Sequence, residues 1–359
     1  MSRLLPIAAS LALVAAPTAG ATTVPGPGSG LPSRPAAVSR PASGAAATWA
    51  LPEIRLVVSR GLMAPDVASF RPTAPLTQRA LAALVAGLTD EQAVKPANPS
   101  AGVTIAQLDA KLVRALGLAD AASTFAQEAA RAGLAPPTRF GTEVVARLLG
   151  LRTNHPASQD DLELLPSDVA TRAEAAYSAA QILRFGGWET QAVDDAAASF
   201  ALPQLTPWQR RVLQTAVRFI GYPYVWGGTS EFAEAPFGVH ARGGFDCSGF
   251  VWRVYKLQPY ANEGPLASTL RGRTTFQMSG EVPKAARVPF AKLAPADVLF
   301  FGAGGPRSRP AQVNHTGVYL GNGWMIHSSG EGVYLSQLEG WYRHRFAWAR
   351  RPLAEAGLN

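Results

Sequence analysis

Residues 243–250 read Gly-Gly-Phe-Asp-Cys-Ser-Gly-Phe and hold the only cysteine of the 359-residue chain, Cys247. Apolar residues recur at helical spacing from position 250 to position 255, which predicts that a helix begins at the cysteine with Asp246 as its N-cap. Amide groups at a helix start favour negative charge and would lower the pKa of a thiol there. By count alone, a lone cysteine is either an inert buried residue or a free reactive thiol. Its predicted place at the helix start, off the apolar face, favours the reactive thiol.

A nucleophilic cysteine needs a base, usually a histidine, and a third group that orients this base. Three of the five histidines fall in loop-like surroundings: His155, His240 and His344. His315 and His327 instead lie in two short β-type runs, with a Gly-Asn-Gly turn at 321–323 between them. These two histidines are therefore the candidates for the base and its partner.

The length of the turn decides whether the two rings can meet. In a three-residue loop, Leu320 pairs with Trp324. Gly317 then pairs with His327, and His315 lies diagonally from that ring on the same face of the sheet. A two-residue loop would place the two rings on opposite faces. We therefore expect a loop of odd length.

Five motifs follow one another in the last part of the chain. They are Tyr-Pro-Tyr-Val-Trp-Gly-Gly at 222–228, Phe-Asp-Cys-Ser-Gly-Phe at 245–250, Leu-x-Pro-x-Asp-Val-Leu-Phe-Phe at 293–301, His-Thr-Gly-Val-Tyr-Leu-Gly at 315–321 and Met-Ile-His at 325–327. In this order they resemble the NlpC family of papain-like cell-wall cysteine peptidases. The resemblance implies an α+β fold for this part of the chain, with helices packed on a small antiparallel sheet.

The same resemblance implies a set of site residues. Cys247 is expected to be the nucleophile, His315 the general base and His327 the orienting third residue. Tyr224 is expected to line the site and contact substrate.

In family members that require a free N-terminal L-alanine, the residues that flank the cysteine bind its amine. Asp246 and Ser248 occupy these positions here. Taken alone, Asp246 is a helix cap and Ser248 a small residue in the first turn. Two features depart from the family. The stretch between Gly228 and Asp246 is longer than usual, and the family's Leu-Pro-Arg-Thr segment is only loosely echoed at 273–275.

The implied activity is hydrolysis of peptidoglycan stem peptides, at a γ-D-glutamyl bond to a diamino acid. One alternative is an amidase or acyltransferase that acts on another wall amide or ester. Another is a catalytically inactive wall-binding protein, although the presence of all three catalytic residue types argues against it. No metal or other cofactor is expected, because the chain has no Cys/His cluster at metal-binding spacing.

The first 47 residues are predicted to precede any folded domain. Arg3, the apolar run 4–16 and the small residues 19–21 have the pattern of a secretory signal peptide, residues 1–21. Residues 22–47 are rich in Pro, Gly, Ala and Ser and are predicted to be a flexible linker. No later stretch is apolar enough to span a bilayer. We expect a secreted protein, periplasmic or extracellular, that is associated with the cell wall.

Residues 48–200 have helical periodicity and are predicted to form a mostly α-helical domain. Helices are expected to end at Gly61 and to start at Thr77 and Thr171, where Thr-Arg-Ala-Glu predicts a capping box. Two segments, around 49–77 and 144–174, resemble S-layer homology repeats, whereas the segment between them fits poorly. The resemblance implies binding of wall polysaccharide; a generic helical domain is the alternative.

The predicted catalytic domain, 204–355, carries the excess positive charge. Residues 201–359 hold 17 basic and 9 acidic side chains, whereas residues 1–200 hold 16 of each, so the net charge of +8 comes from the second part. This charge suggests anionic partners such as wall polymers or stem-peptide carboxylates, and a solvated basic surface without a partner is the equally open alternative. Nucleic acid is not expected, because no basic stripe is interleaved with aromatic residues. A helix is expected after Thr206-Pro207. Strands are expected near 298–301, 316–320, 324–327 and 346–349.

Overall fold

Seven helices make up the first part of this computed structural model, which describes residues 48–358. They are α1 (Leu51–Ser59), α2 (Gln78–Thr89), α3 (Ile105–Ala115), α4 (Ala119–Arg131), α5 (Phe140–Leu148), α6 (Arg172–Arg184) and α7 (Trp188–Ser199). The predicted signal peptide and linker lie outside the described residues. Three expected boundaries are confirmed, since Gly61 follows the end of α1 with φ of 72° and the caps of α2 and α6 are Thr77 and Thr171.

Three threonines cap helices α2, α3 and α6 in the same way. The side chains of Thr77, Thr104 and Thr171 each accept a hydrogen bond, at 3.2 Å, from the amide three residues further on. Such caps satisfy amides that the helix itself leaves without partners. The segments that contain them, each with Pro first and Thr sixth, are 72–81, 99–108 and 166–175.

Backbone hydrogen bonds join the residues before these caps into a closed ring. Leu76 N–H donates to Ala170 O at 2.8 Å, and Ala170 N–H donates to Val103 O at 2.8 Å. Val103 N–H completes the ring by donating to Leu76 O at 2.9 Å. The three side chains are fully buried, so the ring pairs backbone groups that would be costly to bury alone. The middle segment is thus equivalent to the other two in its cap and its backbone hydrogen bonds, an equivalence that the sequence analysis does not predict.

The predicted capping box at Thr171 is half formed. Thr171 accepts from the Glu174 amide, but the Glu174 carboxylate pairs instead with Arg152, at 3.0 Å between Oε2 and Nη1. Arg152 also forms an ion pair with Asp109, at 3.1 Å between Nε and Oδ1. All three charged residues are buried. Because a buried charge without a partner is costly, the tertiary ion pair prevails over the local cap.

The second part of the chain combines short helices with an antiparallel sheet. Its helices are α8 (Pro207–Arg218), α9 (Cys247–Trp252), α10 (Leu266–Thr269), α11 (Thr275–Gly280), α12 (Gly340–Arg345) and α13 (Pro352–Glu355). Its strands are β1 (Thr229–Ser230), β2 (Gly244–Phe245), β3 (Val298–Gly302), β4 (Val313–Gly321), β5 (Trp324–Ser329), β6 (Gly332–Gln337) and β7 (Phe346–Arg350). The larger sheet has the order β6-β5-β4-β3-β7. The predicted α+β class is confirmed, and β6 is a strand that the sequence analysis does not predict.

One hydrophobic core runs through both parts. Phe125 of α4, Phe200 after α7 and Trp324 of β5 pack against one another with ring centroids 5.0 to 5.8 Å apart. Aromatic side chains of this size contribute large buried areas, and their edge-to-face contacts add further stabilisation. The predicted boundary between a helical and a catalytic domain stays a prediction. Within residues 48–358, no helix has the length and apolar character needed to cross a membrane.

Candidate active site

Cys247 is the first residue of α9, with Asp246 as the N-cap. The thiol is buried, at 9% exposure. Burial, and then the charge of Asp246, raises the pKa of the Cys247 thiol to about 12, although hydrogen bonds from the amides of Ser248 and Thr316 oppose the rise. The expectation of a lowered thiol pKa is therefore wrong: α9 is short, and desolvation of the thiolate outweighs its amides.

His315 and His327 contact each other on β4 and β5, the strands against which α9 packs. His315 Nε2 lies 2.9 Å from His327 Nδ1, and the two rings are nearly perpendicular. His315 directly precedes Thr316, whose amide reaches the thiol. Burial lowers the pKa of His315 to about 4, and burial together with His315 lowers the pKa of His327 well below its ordinary value. The resting site therefore holds a neutral thiol beside two neutral imidazoles.

A β-bulge brings these rings to one face of the sheet. Tyr319 pairs with Met325, whereas Gly321, not Leu320, pairs with Trp324. The turn thus has two residues, both at positive φ as in a type I′ turn, and the expected three-residue loop is wrong. The register shift between Tyr319 and Gly321 compensates, because one extra residue in a strand restores the alternation of faces.

Gly317 provides the space that the histidine pair needs. A Cβ atom at this position would lie 2.9 Å from the Cβ of His327 and 3.1 Å from the backbone oxygen of Ile326. Cβ atoms essentially never approach that closely, so the expected gap beside the rings is present and requires glycine.

Three hydroxyl side chains lie on the far side of His327. Ser336 Oγ of β6 is 2.9 Å from His327 Nε2, and the Tyr342 hydroxyl is 3.4 Å from the same nitrogen. The ring of Tyr334 packs on His327 with centroids 4.5 Å apart. None of the three was predicted as a site residue, because β6 and α12 reach His327 only through the tertiary fold.

Asp246 and Ser248 both contact Arg273. Asp246 accepts from Arg273 at 3.2 Å through each oxygen, and the Ser248 hydroxyl accepts from Arg273 Nη1 at 2.7 Å. Asp246 also caps α9 through the Gly249 amide. Arg273 is a site residue that the sequence analysis leaves without a role. A local signal existed: Arg273 directly precedes Thr274, which forms a full capping box with Gln277 at the start of α11.

Tyr224 lies close to Cys247 and to the helical part of the chain. Burial, followed by the nearby acidic groups of Cys247, Asp246 and Asp160, raises its pKa, so the phenol stays protonated. Asp160 is buried, and its carboxylate accepts from the Trp226 amide at 3.2 Å. Through this hydrogen bond, the segment 157–162 of the helical part holds the loop 222–228, which carries Tyr224.

The long stretch before Asp246 folds over this edge of the site. Phe237 is 81% exposed and lies so close to Gly227 that a Cβ there would be 2.5 Å from its ring. Trp226 is also exposed. These two aromatic side chains give the site a solvent-facing apolar rim. Among residues 48–358, no group of three or more His, Cys, Asp or Glu side chains is placed to hold a metal ion.

The sequence of the second part matches a known family. The pattern of the NlpC/P60 family covers residues 221–351, which include all six predicted site residues. Residues 221–351 form an NlpC/P60 domain. The resemblance to NlpC peptidases is thereby confirmed, and it supports the prediction that this domain is a cysteine-peptidase enzyme. The resemblance of the helical part to S-layer homology repeats stays a prediction.

Relatives of the NlpC/P60 domain include wall hydrolases with different names. The gamma-D-glutamyl-L-lysine dipeptidyl-peptidase of Bacillus subtilis is 30% identical over 40% of this chain and 41% of its own length. The murein DD-endopeptidase MepH of Escherichia coli is 34% identical over 39% of this chain and 44% of its own. A solved NlpC/P60 family protein from Bacillus cereus is 28% identical, with 43% of each chain covered and a TM-score of 0.31. The chain thus spans less than half the length of these relatives.

Proposed function

We propose that the protein is a secreted cysteine endopeptidase that hydrolyses peptidoglycan stem peptides. The observation that carries the proposal is the 2.9 Å contact between His315 and His327, together with the hydrogen bond to the Cys247 thiol from the amide of Thr316, the residue after His315. A thiol, a base and a group that orients the base are what nucleophilic amide hydrolysis requires. The wall-hydrolase names of the relatives supply the substrate class.

In the proposed mechanism, the neutral imidazole of His315 removes the thiol proton as the sulfur attacks the amide carbonyl. His315 Nε2 is hydrogen-bonded to His327, so Nδ1 is the nitrogen that accepts this proton. Backbone amides at the start of α9 stabilise the developing oxyanion, and the protonated Tyr224 phenol is a second donor. His315 then protonates the leaving amine, and water, deprotonated by the same ring, hydrolyses the acyl-enzyme.

The proposed scissile bond joins γ-D-glutamate to a diamino acid. The Bacillus subtilis relative supports this choice by its name, whereas the Escherichia coli relative is named for a different bond. Asp246 and Ser248 are proposed to shape the subsite next to this bond together with Arg273, which their oxygens hold. Because Arg273 offsets the charge of Asp246, recognition of a free amine is expected to be weak.

We further propose that residues 48–200 bind wall polysaccharide and that residues 1–21 direct export. The ring of Leu76, Val103 and Ala170 supports the first proposal only in showing that residues 48–200 contain repeated capped segments. Binding of the full-length Cys247→Ala variant to walls, with and without their polysaccharide, tests it. Equal binding to both preparations would contradict it.

The decisive experiment is digestion of purified muropeptides with mass-spectrometric analysis of the products, using Cys247→Ala as the control. New termini at the D-glutamyl bond are expected, and only from the unaltered protein. Cleavage between D-amino-acid residues would overturn the proposed bond. Release of whole stems from muramic acid would instead identify an amidase. Equal products from the Cys247→Ala variant, or no product from any wall fragment, would overturn the proposed function.

A further inference from the structure

His327 contacts His315 through Nδ1 and Ser336 of β6 through Nε2. His315 presents Nε2 to His327, so Nδ1 is left for the thiol. For neutral His315 to accept a proton at Nδ1, its own proton must sit on Nε2. His327 Nδ1 then has to be an acceptor. It follows that His327 carries its proton on Nε2.

This Nε2–H group points away from solvent and needs an acceptor of its own. His327 is fully buried, and an unpaired buried donor is costly. The Ser336 hydroxyl lies 2.9 Å from Nε2 and the Tyr342 hydroxyl lies 3.4 Å from it. At these distances Ser336 is the main acceptor and Tyr342 the weaker one.

Both hydroxyl groups beside His327 Nε2 can act as acceptors. A serine hydroxyl has two lone pairs and a proton that can rotate, so Ser336 Oγ can accept from His327 Nε2 while its own proton points elsewhere. Burial raises the pKa values of Tyr334 and Tyr342, so both phenols stay protonated, and the Tyr342 hydroxyl likewise has lone pairs with which it can accept from the same nitrogen.

We propose that Ser336, assisted by Tyr342, is a positioning residue that fixes the tautomer of His327 and thereby leaves His315 Nδ1 free to act as the base. In the opposite tautomer, His327 donates from Nδ1, His315 Nε2 accepts, and the proton of His315 faces the thiol. That arrangement has no base. The role rests on the proposed function, because it concerns the same proton transfer, but it adds residues from β6 and α12 that lie behind the histidine pair.

The expected kinetic result is a loss of kcat with little change in KM, since Ser336 is buried and does not face the cleft rim. Ser336→Ala should lower kcat by roughly tenfold, and Ser336→Ala with Tyr342→Phe by roughly a hundredfold, because each hydroxyl partly replaces the other. Ser336→Thr keeps the hydroxyl and should restore most of the rate. Ser279→Ala is a matched control, since this buried serine donates only within its own helix, to Phe276 O.

A spectroscopic measurement separates positioning from general damage. The chain has five histidines, so selective ¹⁵N labelling gives few ring signals, and His327→Gln identifies those of His327. The unaltered protein should show His327 with Nε2 protonated, and Ser336→Ala with Tyr342→Phe should show a mixture of tautomers. An unchanged tautomer in this double variant, or an unchanged kcat, overturns the inference. Inactivity of the unaltered protein would instead count against the proposed function.

Discussion

His155 in the helical part and His327 in the NlpC/P60 domain are both buried, at 5% and 0% exposure, yet their pKa values move in opposite directions. His155 Nδ1 lies 3.0 Å from a Glu163 carboxylate oxygen. Burial alone would lower the pKa of His155, but the hydrogen bond and charge of Glu163 prevail and raise it. The partners of His327 are an imidazole and hydroxyls, so burial lowers its pKa.

This difference shows two ways to bury an ionisable group. The helical part pairs its buried charges, as in the contacts of Arg152 with Asp109 and Glu174. Cys247, His315 and His327 are instead kept neutral by their shifted pKa values. Replacing one of these three residues therefore leaves no buried charge alone, whereas replacing Arg152 leaves two.

The largest effect is expected from His315→Ala. Without the base, kcat/KM should fall by at least about a thousandfold, as for other members of catalytic triads. The loss of folding stability should stay below that of removing a buried charge, because His327 Nδ1 loses a hydrogen-bond partner but no charge loses its partner. Muropeptide cleavage and thermal unfolding measure the two effects. His344→Ala, an exposed histidine on α12, is the control. More than a tenth of the activity left in His315→Ala would refute the role of the base.

Arg152→Met, in contrast to His315→Ala, should mainly lower folding stability. Asp109 and Glu174 would lose their buried partner, and the free energy of unfolding should fall by about 3–5 kcal/mol. In the matched control Arg131→Met, the affected pair with Glu128 involves an arginine side chain that is 67% exposed. Its expected cost is below about 1 kcal/mol. Urea denaturation measures both, and equal costs would show that the buried cluster is not held by its charges.

The pH dependence of cleavage tests the neutral state of the site. His315 must be unprotonated to act, and its pKa is lowered to about 4. The rate should therefore persist below pH 6.5 and fall only as the pH drops through about 4. An acidic limb near 6.5 in the kcat/KM profile would contradict this expectation.

The lowered pKa values of His315 and His327 should also make folding stability fall as the pH falls. Below pH 6.5 the unfolded chain binds protons that folded His327 does not, so stability falls with decreasing pH by up to about 1.4 kcal/mol per unit for that histidine. His155 acts oppositely: its contribution is present below pH 6.5 and is lost as the pH rises through its raised pKa.

The smallest effect is expected from Glu163→Gln, which turns the surroundings of His155 into those of His327. Without the carboxylate, burial should lower the pKa of His155 below its ordinary value. An NMR titration of the ring measures it. Asp161→Asn, an exposed neighbour on the same segment, should leave it nearly unchanged. If His155 kept its raised pKa in Glu163→Gln, the contrast with His327 would have another cause.

Elements set by local chemistry were predictable from the sequence. The caps Thr77, Thr171, Thr206 and Asp246 stand where expected, because a side-chain oxygen serves amides only two or three residues away. The placement of His315 and His327 on one face of the sheet was also predicted, although from a loop length that is wrong.

Elements set by distant partners were not predictable. Glu174 has the spacing of a capping residue but forms an ion pair with Arg152, which precedes α6 by 20 residues. Ser336 and Asp160 reach the site through strand pairing and through packing of the helical part. No periodicity or spacing within either segment indicates those contacts, because each depends on where another segment folds.

The ring of Leu76, Val103 and Ala170 can form only late, as the chain emerges from its N-terminus. Its first and last members lie almost a hundred residues apart, and the ring cannot close until the third segment is present. A chain that emerges from its N-terminus therefore holds its first capped helices without their partners during that interval. Proteases that meet the protein during emergence should therefore cut before residue 170 has passed, and resistance should arise in one step once it has.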